Sequence, residues 1–358
     1  MDGLRRGGQG LVLAAGGLGL GLVGRELVRR WRRPELRGQV ALVTGSSRGL
    51  GFLLAREFAH HGCRVALCAR DQRELDRARE ELERQGAEVV ALRCDVGDRR
   101  QVETTVGEVT ARFGRIDILV NNAGIMQVGP IQNQTVEDFQ RAMDVMYWGA
   151  LYSILAVLPQ MLERHAGRIV NITSIGSKVS MPHLLPYNSA KFAALGLSEG
   201  LRAELAREGI SVVTIVPGLM RTGSHLNALF KGRQEREYGW FALAASLPLV
   251  SMDAELAARR IVEASRWGET ERILSLPANL AARFHGLFPG TAVNIFELVN
   301  RLILPRPVAD GAATVKGMEA QERLASPLFE FLTRGGFRPP AATTSTRRLP
   351  QRMMPDNP

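Results

Sequence analysis

Tyr187 and Lys191, in the stretch YNSAK, place a phenol and an ammonium four positions apart, and Ser174 adds a hydroxyl thirteen residues upstream. The segment reads as a helix, on which positions i and i+4 share a face, so the Lys191 ammonium can lie near the Tyr187 hydroxyl. A neighbouring cation favours the phenolate and is expected to lower the tyrosine pKa from about 10 towards the working range. Tyr187 then becomes a usable proton donor and acceptor. Ser174, in NITSIGS, has Thr173 and Ser177 as local competitors. A tyrosine and lysine at this spacing also occur as a packed ring beside a surface amine, so the elements around the pair have to decide.

Those elements form a rhythm. From Gln39, short apolar runs (VALVT at 40–44, RVALC at 64–68, EVVAL at 88–92, IDILV at 116–120, RIVNI at 168–172, SVVTIV at 211–216) alternate with charged, helix-prone stretches. DQRELDRAREELERQG at 71–86 is one such stretch, with Gly86 as its expected C-terminal stop. Near-continuous apolar strands joined by helices predict a Rossmann-like, doubly wound parallel sheet of the α/β class, covered on both faces. Ligands of such sheets bind beyond the carboxyl ends of the strands. Ser174 follows one such strand, and TGSSRGLG at 44–51 follows the first. In that turn Gly45 permits a tight bend, Gly49 lets backbone approach a pyrophosphate, and Gly51 lets helix pack on strand. Arg70 stands about twenty residues beyond, where an acid would normally meet the ribose of NAD. A cation there favours the 2′-phosphate of NADP(H), and Arg48 could add a second positive charge, whereas Asp71 next door would favour NAD.

Taken in order, TGSSRGLG, NNAG at 121–124, Ser174 and YNSAK resemble the short-chain dehydrogenase/reductase family from about residue 38 to 275. The resemblance implies an NADP-preferring carbonyl reductase or alcohol dehydrogenase with Ser174, Tyr187 and Lys191 catalytic, Ser174 and Tyr187 also meeting the substrate, and no metal. Tyr187 would protonate the carbonyl oxygen, and Lys191 would also bond the nicotinamide ribose. The cofactor would be held by Gly45, Ser47, Arg48, Gly49, Leu50, Gly51, Arg70, Asn122, Ala123 and Gly124, together with Tyr187 and Lys191. Asp95 and Val96 would meet the adenine, Pro217 and Gly218 would border the nicotinamide, and Thr222 would contact its carboxamide. One position departs from the pattern. Met146 stands where the family places an asparagine that helps hold a relay water, and a thioether is only a weak acceptor.

Residues 219–250 interrupt the rhythm, and Leu226, Leu229, Phe230, Trp240 and Phe241 suggest a lid over an apolar substrate, or a lid that simply packs on the core. Residues 276–305 are expected to form an apolar helical extension, and 306–358 a disordered basic tail. A weakly catalytic, membrane-associated cofactor-binding protein is the alternative, motivated by Met146 and the apolar ends.

Charge narrows the partners. Of the net +10, residues 1–40 supply eight Arg against three acids and residues 306–358 eight Lys/Arg against five, leaving about +2 for the rest. A nucleic-acid groove in the core is therefore not expected. Cys63, Cys68 and Cys94 lack metal or disulfide spacing and read as buried thiols. Residues 1–37 read as an arm: GLVLAAGGLGLGLVG at 10–24, at fifteen residues shorter than the roughly 20 that span a bilayer, reads as a signal-like run, a short membrane anchor or a loose apolar arm, and Arg25, Arg29, Arg30, Arg32 and Arg33 would keep its flank cytoplasmic. The expected setting is the cytoplasm, with the arm either attached to the cytoplasmic face of a membrane or disordered or packed on the protein. The family resemblance also implies a homo-oligomer.

Overall fold

The computed structural model describes residues 34–246 and 251–324. Among the described residues, those from Arg37 onward form one compact unit. The apolar run at 10–24 lies outside the described residues.

Each apolar run is a strand. β1 (Val40–Thr44) leads into α1 (Gly49–His60), β2 (Arg64–Ala69) into α2 (Gln72–Arg84), β3 (Val89–Arg93) into α3 (Arg99–Phe113), and β4 (Ile118–Asn121) follows. Further along lie β6 (Gly167–Ile172), β7 (Ile210–Val216) and β11 (Glu271–Ile273), and the seven pair in the order β11-β7-β6-β4-β1-β2-β3. Every pairing is parallel. Strand order reverses between β1 and β4, which opens a crevice at their carboxyl ends. β1 is buried along its whole length, as a strand covered on both faces must be.

Local chemistry sets the helix limits. Asp71 and Asp98 accept backbone N–H bonds at the starts of α2 and α3, satisfying donors that the first turn leaves without partners. Gly86, at φ +83°, follows the end of α2 and takes the left-handed conformation that closes a helix. After β4 come β5 (Gln127–Val128) and α4 (Val136–Met143), which continues through a π-helical stretch at Asp144–Trp148 into α5 (Gly149–Glu163). By length and composition the whole run Val136–Glu163 could cross a membrane, but Met146, Ile154, Val157 and Met161 lie in the sheet's core. It is the core helix of this fold. Cys63, Cys68 and Cys94 are buried, and no disulfide joins them among the described residues.

The segment after β7 builds a cap: β8 (Leu219–Arg221), α7 (Ser224–Asn227), β9 (Leu229–Phe230), α8 (Gln234–Ser246) and β10 (Ser251–Asp253). α9 (Ala254–Trp267) precedes β11, and α10 (Leu276–Leu287) with α11 (Pro289–Leu302) forms the expected helical extension. The tail expected to lack structure from 306 does not begin there. β12 (Val315–Lys316) pairs antiparallel with β9, which also pairs parallel with β5, and α12 (Gly317–Leu324) follows. The reason is burial: Val315 and Ala320 join Phe230, Tyr238 and Phe241 in a satellite core. The basic residues from 325 onward lie outside the described residues.

Candidate active site

The crevice at the strand ends contains a small pocket whose lining includes Thr44, Asn121, Ala123, Met146, Thr173 and Lys191. Thr44 ends β1 and organises the crossover: its hydroxyl donates to Val120 O (3.3 Å) and accepts from Asn122 N (3.0 Å) and Ala123 N (3.1 Å). The Asn122 amide donates to Thr44 O (3.0 Å) and Gly45 O (3.1 Å). Asn122, expected at the cofactor, thus clamps the glycine turn. Gly45 has φ +65° and so little room that a Cβ would meet Ala123 Cα at 2.8 Å. Gly49, at φ +57°, has nothing within 4 Å of a would-be Cβ. A bulky group can therefore approach the backbone there. Gly51 lies against Gly45 O and the Asn122 amide, the close packing expected of it. Arg48 flanks α1 without capping it, and no acid sits in the first turn. That helix start is suited to an anion.

At the ribose end, Asp71 is engaged as the α2 cap, and the bonds from Glu74 N and Arg73 N hold its carboxyl below its ordinary pKa. Arg70 remains largely exposed, 3.9 Å from Asp95. Ser47 donates to Glu74 (2.9 Å) and Arg48 is ion-paired with the same carboxylate, so neither is free for a phosphate in this state. Asp95 accepts from Gly97 N (3.1 Å), and Val96 is buried against Gly149, where a Cβ would come within 2.8 Å. Leu50 is buried in α1.

The reacting hydroxyls come from β6 and α6 (Leu185–Glu204). Ser174 follows β6, accepts from Gly176 N (3.0 Å) and hydrogen-bonds Tyr187. Its competitors are occupied, since Thr173 donates to Ile215 O (2.6 Å) and Ser177 to Ser174 O (2.6 Å). Lys191, one turn beyond Tyr187, has its Nζ 5.8 Å from the centre of the Tyr187 ring and donates to Ile172 O (2.8 Å). The expected lowering of the tyrosine pKa is not found. Burial pushes Tyr187 up to about 12, with the Ser174 bond pulling the other way, and the lysine makes no contribution. Burial also draws Lys191 down to about 8. Helical spacing brings the two side chains together, but the cation points at a carbonyl and burial dominates. In this state Tyr187 holds its proton.

Other expected positions lie on the segment that follows β7. Pro217 O accepts from Ile175 N (2.7 Å), and Gly218 packs on Ser275 and Ala278, which a Cβ would approach to 2.7 and 3.2 Å. The Thr222 hydroxyl accepts from Ser224 N (3.3 Å). A Cβ on Gly124 would lie 3.6 Å from the Met146 sulfur, so Met146 and the π-helical stretch back the NNAG loop. Of the lid aromatics, Phe230 and Phe241 are buried in the satellite core, while Trp240 is half-buried and donates to Glu237 (2.7 Å).

Two features escaped the sequence. Thr44 was read only as the edge of a glycine turn. The buried chain Asn121 to Asn171 (2.9 Å), Asn171 to Ser198 (2.9 Å) and Ser198 to Thr214 (2.7 Å) joins three strands and a helix, and only tertiary pairing brings it together.

Residues 39–229 match the family model described as short chain dehydrogenase. A dehydrogenase/reductase SDR family protein 7-like from Anopheles gambiae is 40% identical over 200 residues, 54% of this chain and 63% of that one. The chain thus spans less than two thirds of that relative. An uncharacterized oxidoreductase, YxjF, of Bacillus subtilis is 34% identical over 230 residues, 64% of this chain and 90% of that one. Among solved structures, a gluconate 5-dehydrogenase from Burkholderia cenocepacia, in complex with NADP and tartrate, is 27% identical at TM-score 0.60 and covers 69% of this chain and 98% of its own. A short-chain dehydrogenase from Streptomyces avermitilis is 30% identical at TM-score 0.63, covering 74% and 97%. The chain belongs to the short-chain dehydrogenase/reductase family of oxidoreductases, which work on small molecules with a nicotinamide cofactor.

Proposed function

We propose that the protein is an NADP(H)-dependent oxidoreductase moving a hydride between nicotinamide and a carbonyl or secondary alcohol of an apolar small molecule, with Ser174, Tyr187 and Lys191 as its catalytic residues. The observation that carries this reading is the grouping of Tyr187, bonded to Ser174, with a buried Lys191 whose Nζ lies 5.8 Å from the tyrosine ring and which lines the same pocket as Thr44 at the end of the first strand. The open backbone at Gly49 and the uncapped start of α1 suit a pyrophosphate. When bound, NADPH supplies the hydride.

The chain's own residues handle the oxygen. Ser174 orients it, and Tyr187 donates its proton as negative charge develops there, the moment at which preorganised donors contribute most. Lys191, whose proton is loosened by burial, stands within a turn to return one to the tyrosine. Exposed Arg70 supports NADP(H), as does the commitment of Asp71 to its helix cap. The apolar cap supports an apolar substrate. The family also suggests a homo-oligomer in the cytoplasm.

NADPH oxidation measured with a panel of ketones and aldehydes tests the reading. Turnover of at least one apolar carbonyl is expected, and Tyr187→Phe should reduce it by about three orders of magnitude. Activity that survives this change removes the mechanism, and NADPH binding without turnover on any carbonyl removes the enzyme. Arg70→Asp should shift the cofactor preference towards NADH by roughly tenfold or more; an unchanged ratio rejects Arg70 as the selector.

A further inference from the structure

The helical pair α10 and α11 leaves large apolar side chains in water on both helices. Leu280, Phe284 and Leu287 line one stripe of α10, and Ile295, Leu298 and Leu302 one stripe of α11, with exposures from 40% at Phe284 to 73% at Leu287. The tip between the helices, Phe288, is 54% exposed. Only Ala278 and Ala292 are fully buried in the two helices, with Phe296 and Val299 half-buried, so the stripes named above take little part in holding the pair. An apolar surface this continuous marks an interaction site.

Charge identifies the occupant. Residues 276–303 contain one acid, Glu297, against Arg283 and Arg301, and Glu297 is paired with Arg301 (2.7 Å) at the surface. With Glu297 neutralised by Arg301, Arg283 leaves the pair with a net positive charge, and apolar stripes beside it with no free carboxylate among these residues complement an anionic lipid surface. The second signal is in the sequence: the uncharged run at 10–24 with five arginines directly after it. One apolar element binds a bilayer only marginally, whereas two give stable attachment.

We infer that the α10–α11 hairpin inserts its apolar stripes into the surface of an anionic bilayer. Its base, Ser275 and Ala278, packs on Gly218, just after β7, which ties the hairpin to the sheet. The inference is independent of catalysis: a Tyr187→Phe chain docks equally.

The test uses the full chain carrying Leu287→Cys labelled with an environment-sensitive fluorophore. Cys63, Cys68 and Cys94 are at most 3% exposed, so the label goes to the new thiol. On phosphatidylcholine vesicles containing phosphatidylserine, emission should move to the blue, less so on phosphatidylcholine alone, while the same label at Glu103→Cys on α3 stays unchanged. A chain that floats with the vesicles while the Leu287→Cys label keeps its aqueous emission overturns the inference, since another segment then does the binding. Blue emission before lipid is added also overturns it, whether it grows with protein concentration, as a second copy would cause, or not. No binding to either vesicle overturns it as well.

Discussion

Lys191 in the cleft and Lys231 in the cap are buried to nearly the same degree, 5% and 4% exposed, yet their regions treat the charge in opposite ways. Lys231 is ion-paired with Asp138. Burial alone would raise the Asp138 pKa, but Lys231, Thr135 N and Gln127 outweigh it and hold the carboxylate below its ordinary value. The cap repeats the pattern where Glu237 meets His183 (2.8 Å) and Trp240 (2.7 Å). Lys191 has a carbonyl for a partner and no carboxylate among the described residues. A neutralised buried charge fixes a segment in place, whereas one left without a counter-ion stays ready to give up its proton.

The largest expected effect separates these roles outright. Lys191→Met should lower kcat/KM by about a thousandfold while the melting temperature holds or rises, because an unpaired buried ammonium is removed; a large loss of stability instead would make Lys191 structural. Lys231→Met should do the reverse, lowering the unfolding free energy by about 3 kcal/mol because Asp138 is left buried and unpaired. Denaturant titration reads this, and adding Asp138→Asn should restore part of the loss. No rescue would mean the pair is not what holds the cap.

Acidity sharpens the contrast in two windows. Between about 8 and the ordinary lysine value of 10.5, the unfolded chain holds a proton that folded Lys191 has released. The wild type should therefore gain stability relative to Lys191→Met as pH rises through that window, by roughly 1.4 kcal/mol per pH unit. A constant gap between their melting curves contradicts this. In the cap, burial draws His225 down to about 4 from 6.5. Unfolded His225 takes a proton there that the folded chain refuses, so stability should fall as pH drops from 6.5 to 4. His225→Gln should flatten that acid limb, and an unchanged limb assigns it to another group. The smallest effect is at Met146, buried beside Gly124. Met146→Asn should raise kcat a few-fold by providing a polar relay group, at some cost in stability, and unchanged or lower turnover rejects the relay account.

The part of this contrast legible in the sequence is the local part. Apolar runs match the sheet strands, Gly86 follows the end of its helix, and the family resemblance pointed to Ser174 rather than Thr173 and Ser177, whose hydroxyls the structure ties to carbonyls. Spacing could also bring Tyr187 near Lys191. It could not tell which way the tyrosine would titrate, because desolvation depends on everything packed around the ring. The ion pair between Lys231 and Asp138 joins residues 93 positions apart, and no periodicity announces it. The ordering of 315–324 was hidden for a similar reason: Val315 and Ala320 are unremarkable until β9 gives them a surface to cover.

The pairing of β12 with β9 bears on how the molecule is made. A ribosome that has released the chain as far as Ile273 has delivered every strand of the seven-stranded sheet, but Val315, which completes the satellite core, is still to come. The main sheet can thus assemble during synthesis, and the cap closes only once Val315 has emerged. A nascent chain that stalls in between would carry Phe230 and Phe241 uncovered, a sticky intermediate for chaperones to shield.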